Sequence, residues 1–198
     1  MLVAAEAEFS RAGLKVPIDA IAKRAGVGVG TVCRHFPTKQ ALIEAVLTAM
    51  YESLLSDAEA ALEHEDAGAA FLEFFEAVTT FQSRHRALAE QMATDVGLPA
   101  SEESLRLALH AAITELVSRA QAAGALRSDI GPADVAMLFS GVAHATSTLG
   151  PLEPALRERY MRIILDGLRP ADASPLPGRP LDFAELRRLR RRKSRTRT

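Results

Sequence analysis

The sequence predicts an all-α protein, an N-terminal three-helix unit followed by a larger helical domain. Three observations carry this. Ala, Leu, Glu and Arg dominate the 198 residues, runs of β-branched residues are missing, and apolar residues recur at three and four rather than two. With 48% hydrophobic residues the chain has enough apolar material for a substantial core. Breaks at Gly13, Gly26 to Gly28, Pro37, His64 to Gly68, Gly97 to Pro99, Gly124 to Pro132 and Gly150 to Pro154 outline about eight helices. Nothing repeats at a fixed period, which argues against a solenoid.

The first helix offers Leu2, Ala5 and Phe9 for packing and already contains Met1. Residues 18 to 35 then read as a helix-turn-helix. Ile18 to Ala25 is a short helix behind Pro17, with Ile21, Ala22 and Ala25 facing inward; Gly26-Val27-Gly28 is the turn, and Val29 to His35 the second helix. Ala22 is small where the helices cross, Gly26 supplies the left-handed residue that ends the first helix, and Val27 plugs the core. Such a unit places its second helix in the DNA major groove, which puts Val29, Gly30, Thr31 and Arg34 near bases or phosphates. Phe36 is an apolar aromatic between two helices and belongs to the core.

Thr38 to Leu62 forms one long helix, capped by Thr38 and carrying Leu42, Val46, Met50, Leu54 and Leu55. Its N-terminal N–H groups, with Lys39, suit a phosphate. Asp66 to Arg86 follows with Phe71, Phe74, Phe75, Val78 and Phe81; Ser101 caps a helix bearing Leu105, Leu109, Ile113 and Leu116. Pro132 to Leu149 and Pro154 to Leu168 are antiparallel neighbours across a Gly150-Pro151 turn. Pro170, Pro175, Pro177 and Pro180 mark a stiff linker, and Asp182 to Lys193 is a short basic helix with Phe183, Leu186 and Leu189 spaced at three.

The net charge of −1 conceals a division of labour. Residues 1–40 carry six basic and three acidic groups, residues 41–178 nine and twenty, residues 179–198 nine and two. An acidic middle is repelled by DNA and faces away from it, leaving the basic head in contact. The basic tail, 187–198, suits DNA phosphates, an anionic membrane surface, the acidic middle domain, or plain solvation. Cys33 stands alone, so no internal disulfide forms, and no Cys/His spacing suggests zinc. No apolar run reaches the roughly 18 residues of a membrane span, and the N-terminus lacks a signal peptide's pattern, so the expectation is a cytoplasmic protein without membrane attachment. No Ser-His-Asp order, phosphate loop, paired metal ligands or nucleophile motif is present, which points away from an enzyme and from a cofactor.

The stretch from Asp19 to Leu42, read as DAIAKRAGVGVGTVCRHFPTKQAL, resembles the DNA-binding signature of TetR-type transcriptional regulators. The likeness covers about the first fifth of the chain, and the later helices agree with that family in number and order. It implies a homodimeric repressor released from a palindromic operator by a small molecule. Position by position, it implies that Val29, Gly30 and Thr31 meet bases or nearby phosphates, that Arg34 and His35 reach the groove edge and backbone, and that Lys39 holds a phosphate. Three positions depart from the pattern. Gly28 replaces the usual Ser or Thr cap, Cys33 replaces a tyrosine that touches the backbone and so sets a thiol on the DNA face, and Met1 falls inside the first helix where the family has several residues ahead of it, so that either the start is short or the true start lies upstream. A thiol there reads as a small apolar filler or, with His35 nearby, as a redox sensor.

The expected organisation is a DNA-binding domain at 1–45, an effector-binding and dimerisation domain at 46–169, and a linker and tail at 170–198. The effector candidates are Phe74, Phe75, Val78, Phe81, Met92, Leu109, His110, Ile113, Met137 and His144, an apolar stripe with two polar points that also suits plain core. Dimerisation through 132–149 and 154–168 would make a four-helix bundle. The expected partners are double-stranded DNA, a second copy and an unidentified small molecule. A rival reading is a helical ligand-binding dimer, or a DNA-binding protein without operator specificity, and it draws on Met1, Gly28 and Cys33.

Overall fold

The computed structural model describes residues 1–93, 100–148, 154–171 and 174–195. All regular structure among them is helical: α1 (Leu2–Ala12), α2 (Ile18–Ala25), α3 (Val29–His35), α4 (Lys39–Leu62), α5 (Ala67–Arg84), α6 (Arg86–Ala93), α7 (Ala100–Ala122), α8 (Pro132–Thr148), α9 (Pro154–Leu168) and α10 (Phe183–Arg195). The starts and stops follow local chemistry. Gly26 sits at φ 68°, ψ 27°, and the Val27 N–H returns to the Ala22 carbonyl at 3.1 Å, closing α2 in a Schellman-like turn. Thr38 Oγ1 accepts the Ala41 N–H at 3.0 Å, and Asp66 Oδ1 accepts from Gly68 and Ala69 at 2.9 Å each.

Two apolar cores share α4. Its first half sends Leu42, Ile43, Val46, Leu47 and Met50 into a head core with Ala5, Phe9, Ile21, Ala22 and Val32. Its second half sends Tyr51, Leu54 and Ala58 into the larger core built by α5, α7 and α8. The expected division at 45/46 therefore falls inside a helix that serves both sides. α6 crosses the same divide, because Leu88, fully buried, packs in the head core.

Two boundaries differ from expectation. The single helix expected over Asp66 to Arg86 is broken at His85 (φ −113°, ψ 38°), and α6 begins just after it. No Gly or Pro marks the break; the imidazole is instead engaged with α1, Nδ1 lying 2.7 Å from Ser10 Oγ and 3.4 Å from Glu6. Ser101 lies inside α7, which starts at Ala100, so it is not the cap. The Gly150-Pro151 turn lies outside the described residues.

The expected linker is tied down. Arg127, buried, donates to both carboxylate oxygens of Asp129 (2.6 and 2.8 Å) and to the carbonyls of Gly167 and Ser174 (3.3 and 2.5 Å). Asp129 accepts the Leu176 N–H at 3.2 Å, and Arg127 holds its carboxyl far below the usual carboxylate range. Asp134 Oδ2 accepts two backbone N–H groups, from Gly131 at 2.8 Å and from Leu181 at 2.9 Å, while the Ala133 N–H reaches the Leu181 carbonyl at 3.2 Å. The strand of chain at Leu181 passes so close to Gly131 that a β-carbon there would overlap the Leu181 carbonyl. Asp182 then caps α10 through the Glu185 N–H at 2.7 Å.

Candidate nucleic-acid interface and ligand cavity

The head presents α3 outward. Val32 is buried at 1% exposure and anchors α3 against Ile21 and Ala22, and Phe36 packs partly buried behind it. The opposite face carries Val29 at 40% exposure together with exposed Gly30, Cys33, Arg34 and His35, while Thr31 is half-buried. The thiol of Cys33 is free and on the surface. His35 Nδ1 lies 2.9 Å from the Thr31 carbonyl, so that nitrogen donates and the ring is fixed along the helix. Gly28 occupies the cap position with no side-chain hydrogen bond. Lys39 is the first residue of α4, next to the outward-facing N–H groups of that helix. Behind this face, buried Glu8 accepts from Arg11 at 2.7 Å and from Arg24 at 3.0 Å, joining α1 to α2. The hydrogen bond from Arg11, then that from Arg24, holds the Glu8 carboxyl below its ordinary range.

A cavity of about 290 Å³ lies in the second half of the molecule. Tyr51 and Leu54 of α4, Phe81 and Gln82 of α5, and Arg86, Ala89, Glu90 and Met92 of α6 form one side. Arg106, Leu109, His110 and Ile113 of α7, with Ala136, Met137, Ser140, Ala143 and His144 of α8, form the other; Phe183, Leu186 and Arg187 of α10 complete it. The wall is mainly apolar. Its polar groups are paired: Arg86 faces Glu90 at 3.9 Å, the His144 ring lies 3.8 Å from the same carboxylate, and Glu103 receives both Arg106 and Arg187, the latter at 2.8 Å. A small, largely apolar enclosure with a few fixed polar groups suits a small organic molecule.

His85 joins the two regions. Its ring touches Phe81 at a centroid distance of 4.6 Å on the cavity side and Ser10 of the head on the other. Burial pushes its pKa down, with Glu6 acting in the opposite direction. Among the described residues, no group of three or more His, Cys, Asp or Glu could hold a metal ion, and no helix is long and apolar enough to cross a membrane.

The sequence model described as "Bacterial regulatory proteins, tetR family" matches residues 1–46, and "Transcriptional regulator SbtR-like, C-terminal domain" matches residues 66–170. The protein belongs to the TetR family of transcriptional regulators. Solved TetR regulators agree. One from Streptomyces coelicolor is 32% identical, with 86% of this chain and 97% of that one covered at a TM-score of 0.66. Another from Mycobacterium vanbaalenii is 34% identical, with 85% and 92% covered at 0.63. At 20% identity, a TetR family regulator from Thermus thermophilus shares the fold, with 85% and 98% covered at 0.60. No curated protein matches. As a TetR-family member the chain is a DNA-binding transcription factor rather than an enzyme, with a helix-turn-helix head and a helical ligand-binding domain.

Within this TetR architecture the residues singled out from sequence separate. Phe81, Met92, Leu109, His110, Ile113, Met137 and His144 line the cavity described above. Phe74, Phe75 and Val78 do not; they pack in the larger core, where Phe75 lies 4.6 Å from both Phe71 and Phe139, ring centre to ring centre. Sequence reasoning missed Arg106, whose signal was a lone arginine one turn before His110 in an otherwise apolar stripe and which is only 3% exposed. It also missed the cavity role of Phe183, Leu186 and Arg187, although the three-residue spacing of Phe183 and Leu186 was visible.

Proposed function

We propose that this TetR-family regulator is a homodimeric repressor that leaves a palindromic operator when an apolar small molecule fills the cavity. The observation that carries the proposal is the position of α6. Four of its residues wall the cavity, while Leu88 on the same helix is buried in the head core and His85 at its start engages Ser10 of α1. A ligand that pushes α6 outward therefore shifts the head itself. In a dimer, where two heads must match two half-sites about one helical turn apart, a small change of head spacing abolishes simultaneous docking.

Dimerisation through α8 and α9 is supported by the apolar residues they expose, among them Met137, Leu138, Leu156, Tyr160 and Ile163, the last at 55% exposure. At the DNA, Val29, Gly30 and Thr31 are assigned to base edges or adjacent phosphates, Cys33 to the DNA face beside the backbone, Arg34 and His35 to the groove edge and backbone, and Lys39 to a phosphate.

Selection of bound sequences from random duplexes tests the reading. A two-fold symmetric consensus is expected, and apolar compounds that raise the protein's melting temperature should release it. Recovery of no consensus would refute operator-specific repression and leave the alternative, a helical ligand-binding dimer without sequence preference.

A further inference from the structure

One side of the cavity is walled by a segment beyond the C-terminal domain matched at 66–170. Phe183 stacks on His110 of α7, ring centres 3.9 Å apart and planes 5° from parallel. Leu186 is 9% exposed, and Arg187 reaches Glu103 of α7 at 2.8 Å. The preceding chain is fastened independently, by Arg127 to the Ser174 carbonyl, by Asp129 to the Leu176 N–H and by Asp134 to the Leu181 N–H. Gly131, which has no β-carbon to obstruct Leu181, permits this close seating. A solvating tail needs none of these fixtures. Leu189, two residues past Arg187, is 51% exposed, so the docked part of α10 is the part that reaches the cavity.

We propose that α10 belongs to the effector site, with Phe183 and Leu186 contacting an apolar ligand and the Arg187–Glu103 pair latching the helix over it. The proposal rests on the reading of the cavity as an effector site. The ligand's class follows from the wall: an apolar molecule whose body meets Phe81, Leu109, Ile113 and Phe183. With α10 held against one side of the ligand by this latch, release is slowed while the helix stays docked. Arg187 is a positioning residue, acting through the helix it fastens.

The test uses N-phenyl-1-naphthylamine, an uncharged apolar fluorophore that brightens on leaving water, with the full chain, Phe183→Ala, Arg187→Gln, Arg187→Lys and a chain ended after Gly178. Thermal melts establish that each variant keeps its fold. Phe183→Ala is expected to weaken binding about tenfold, the cost of truncating an aromatic contact at a binding site. Arg187→Gln and the shortened chain should release the probe at least tenfold faster, with Arg187→Lys partly restoring slow release; a structural role alone would leave release rates unmoved. Unchanged affinity and release in Phe183→Ala and in the shortened chain would overturn the proposal. So would tighter binding by the shortened chain, which would make α10 an occupant that competes with the ligand. If neither the full nor the shortened chain takes the probe, the effector reading of the cavity falls as well.

Discussion

Phe75→Ala separates core from ligand wall. Phe75 is 2% exposed, and its ring meets Phe71 and Phe139 at 4.6 Å and Phe74 at 5.2 Å. Truncation of a buried phenylalanine costs about 3–5 kcal/mol through lost transfer free energy and the cavity left behind. Loss of several favourable ring pairs, each contributing about 0.5–1.5 kcal/mol, places this site near the upper end, about 4–5 kcal/mol. For a protein of this size about 2–4 °C is lost per kcal/mol, so the midpoint should fall by about 8–20 °C. Differential scanning calorimetry at fixed protein concentration measures this. Phe75 does not line the cavity, so probe affinity measured well below the new midpoint should stay within about twofold, under 0.5 kcal/mol. A midpoint within 3 °C of the parent would refute the close-packed aromatic core at this threshold. A large loss of probe binding without loss of stability would return Phe75 to the ligand wall.

Two other outcomes bear on the head. Lys39→Ala removes one phosphate contact per protomer, so the slope of log affinity against log salt on operator DNA should fall by about 1.8 for a dimer, from about 0.9 per contact; an unchanged slope would take Lys39 off the DNA. His85 has a depressed folded-state pKa, so the unfolded chain takes up its proton first. Its contribution to stability is full above the ordinary histidine value of about 6.5 and is lost as pH falls below it. Urea midpoints between pH 7.5 and 5 should therefore drop less in His85→Gln than in the parent, and parallel curves would contradict the burial argument.

The head was legible because its signals are local. Ala22 at the crossing, Gly26 at positive φ and Thr38 at the cap each act within a few residues of themselves, and helices at 18–25 and 29–35 followed directly. The break at His85 was not legible, since its partners Ser10 and Glu6 lie about 75 residues away and no Gly or Pro accompanies it. Nor could periodicity divide core from cavity along α5. Phe74, Phe75, Val78 and Phe81 make one apolar face, and only the course of α8 beside the first and of α6 beside the last gives them different surroundings. The tail illustrates the same limit. Its three-residue spacing announced a helix, but its seat depends on Gly131, Asp134 and Glu103, none of which is near it in sequence.

The burial of Leu88 bears on engineering. Chimeric regulators are assembled by joining the head of one protein to the sensing domain of another, and the seam is usually sought where the chain changes domain. Here such a graft would carry every head residue from 1 to 62 and still leave a leucine-sized hole, because part of the head core is supplied from α6. A working chimera must bring position 88 and its facing residues as a set, or repack the head against whatever the new sensing domain presents there.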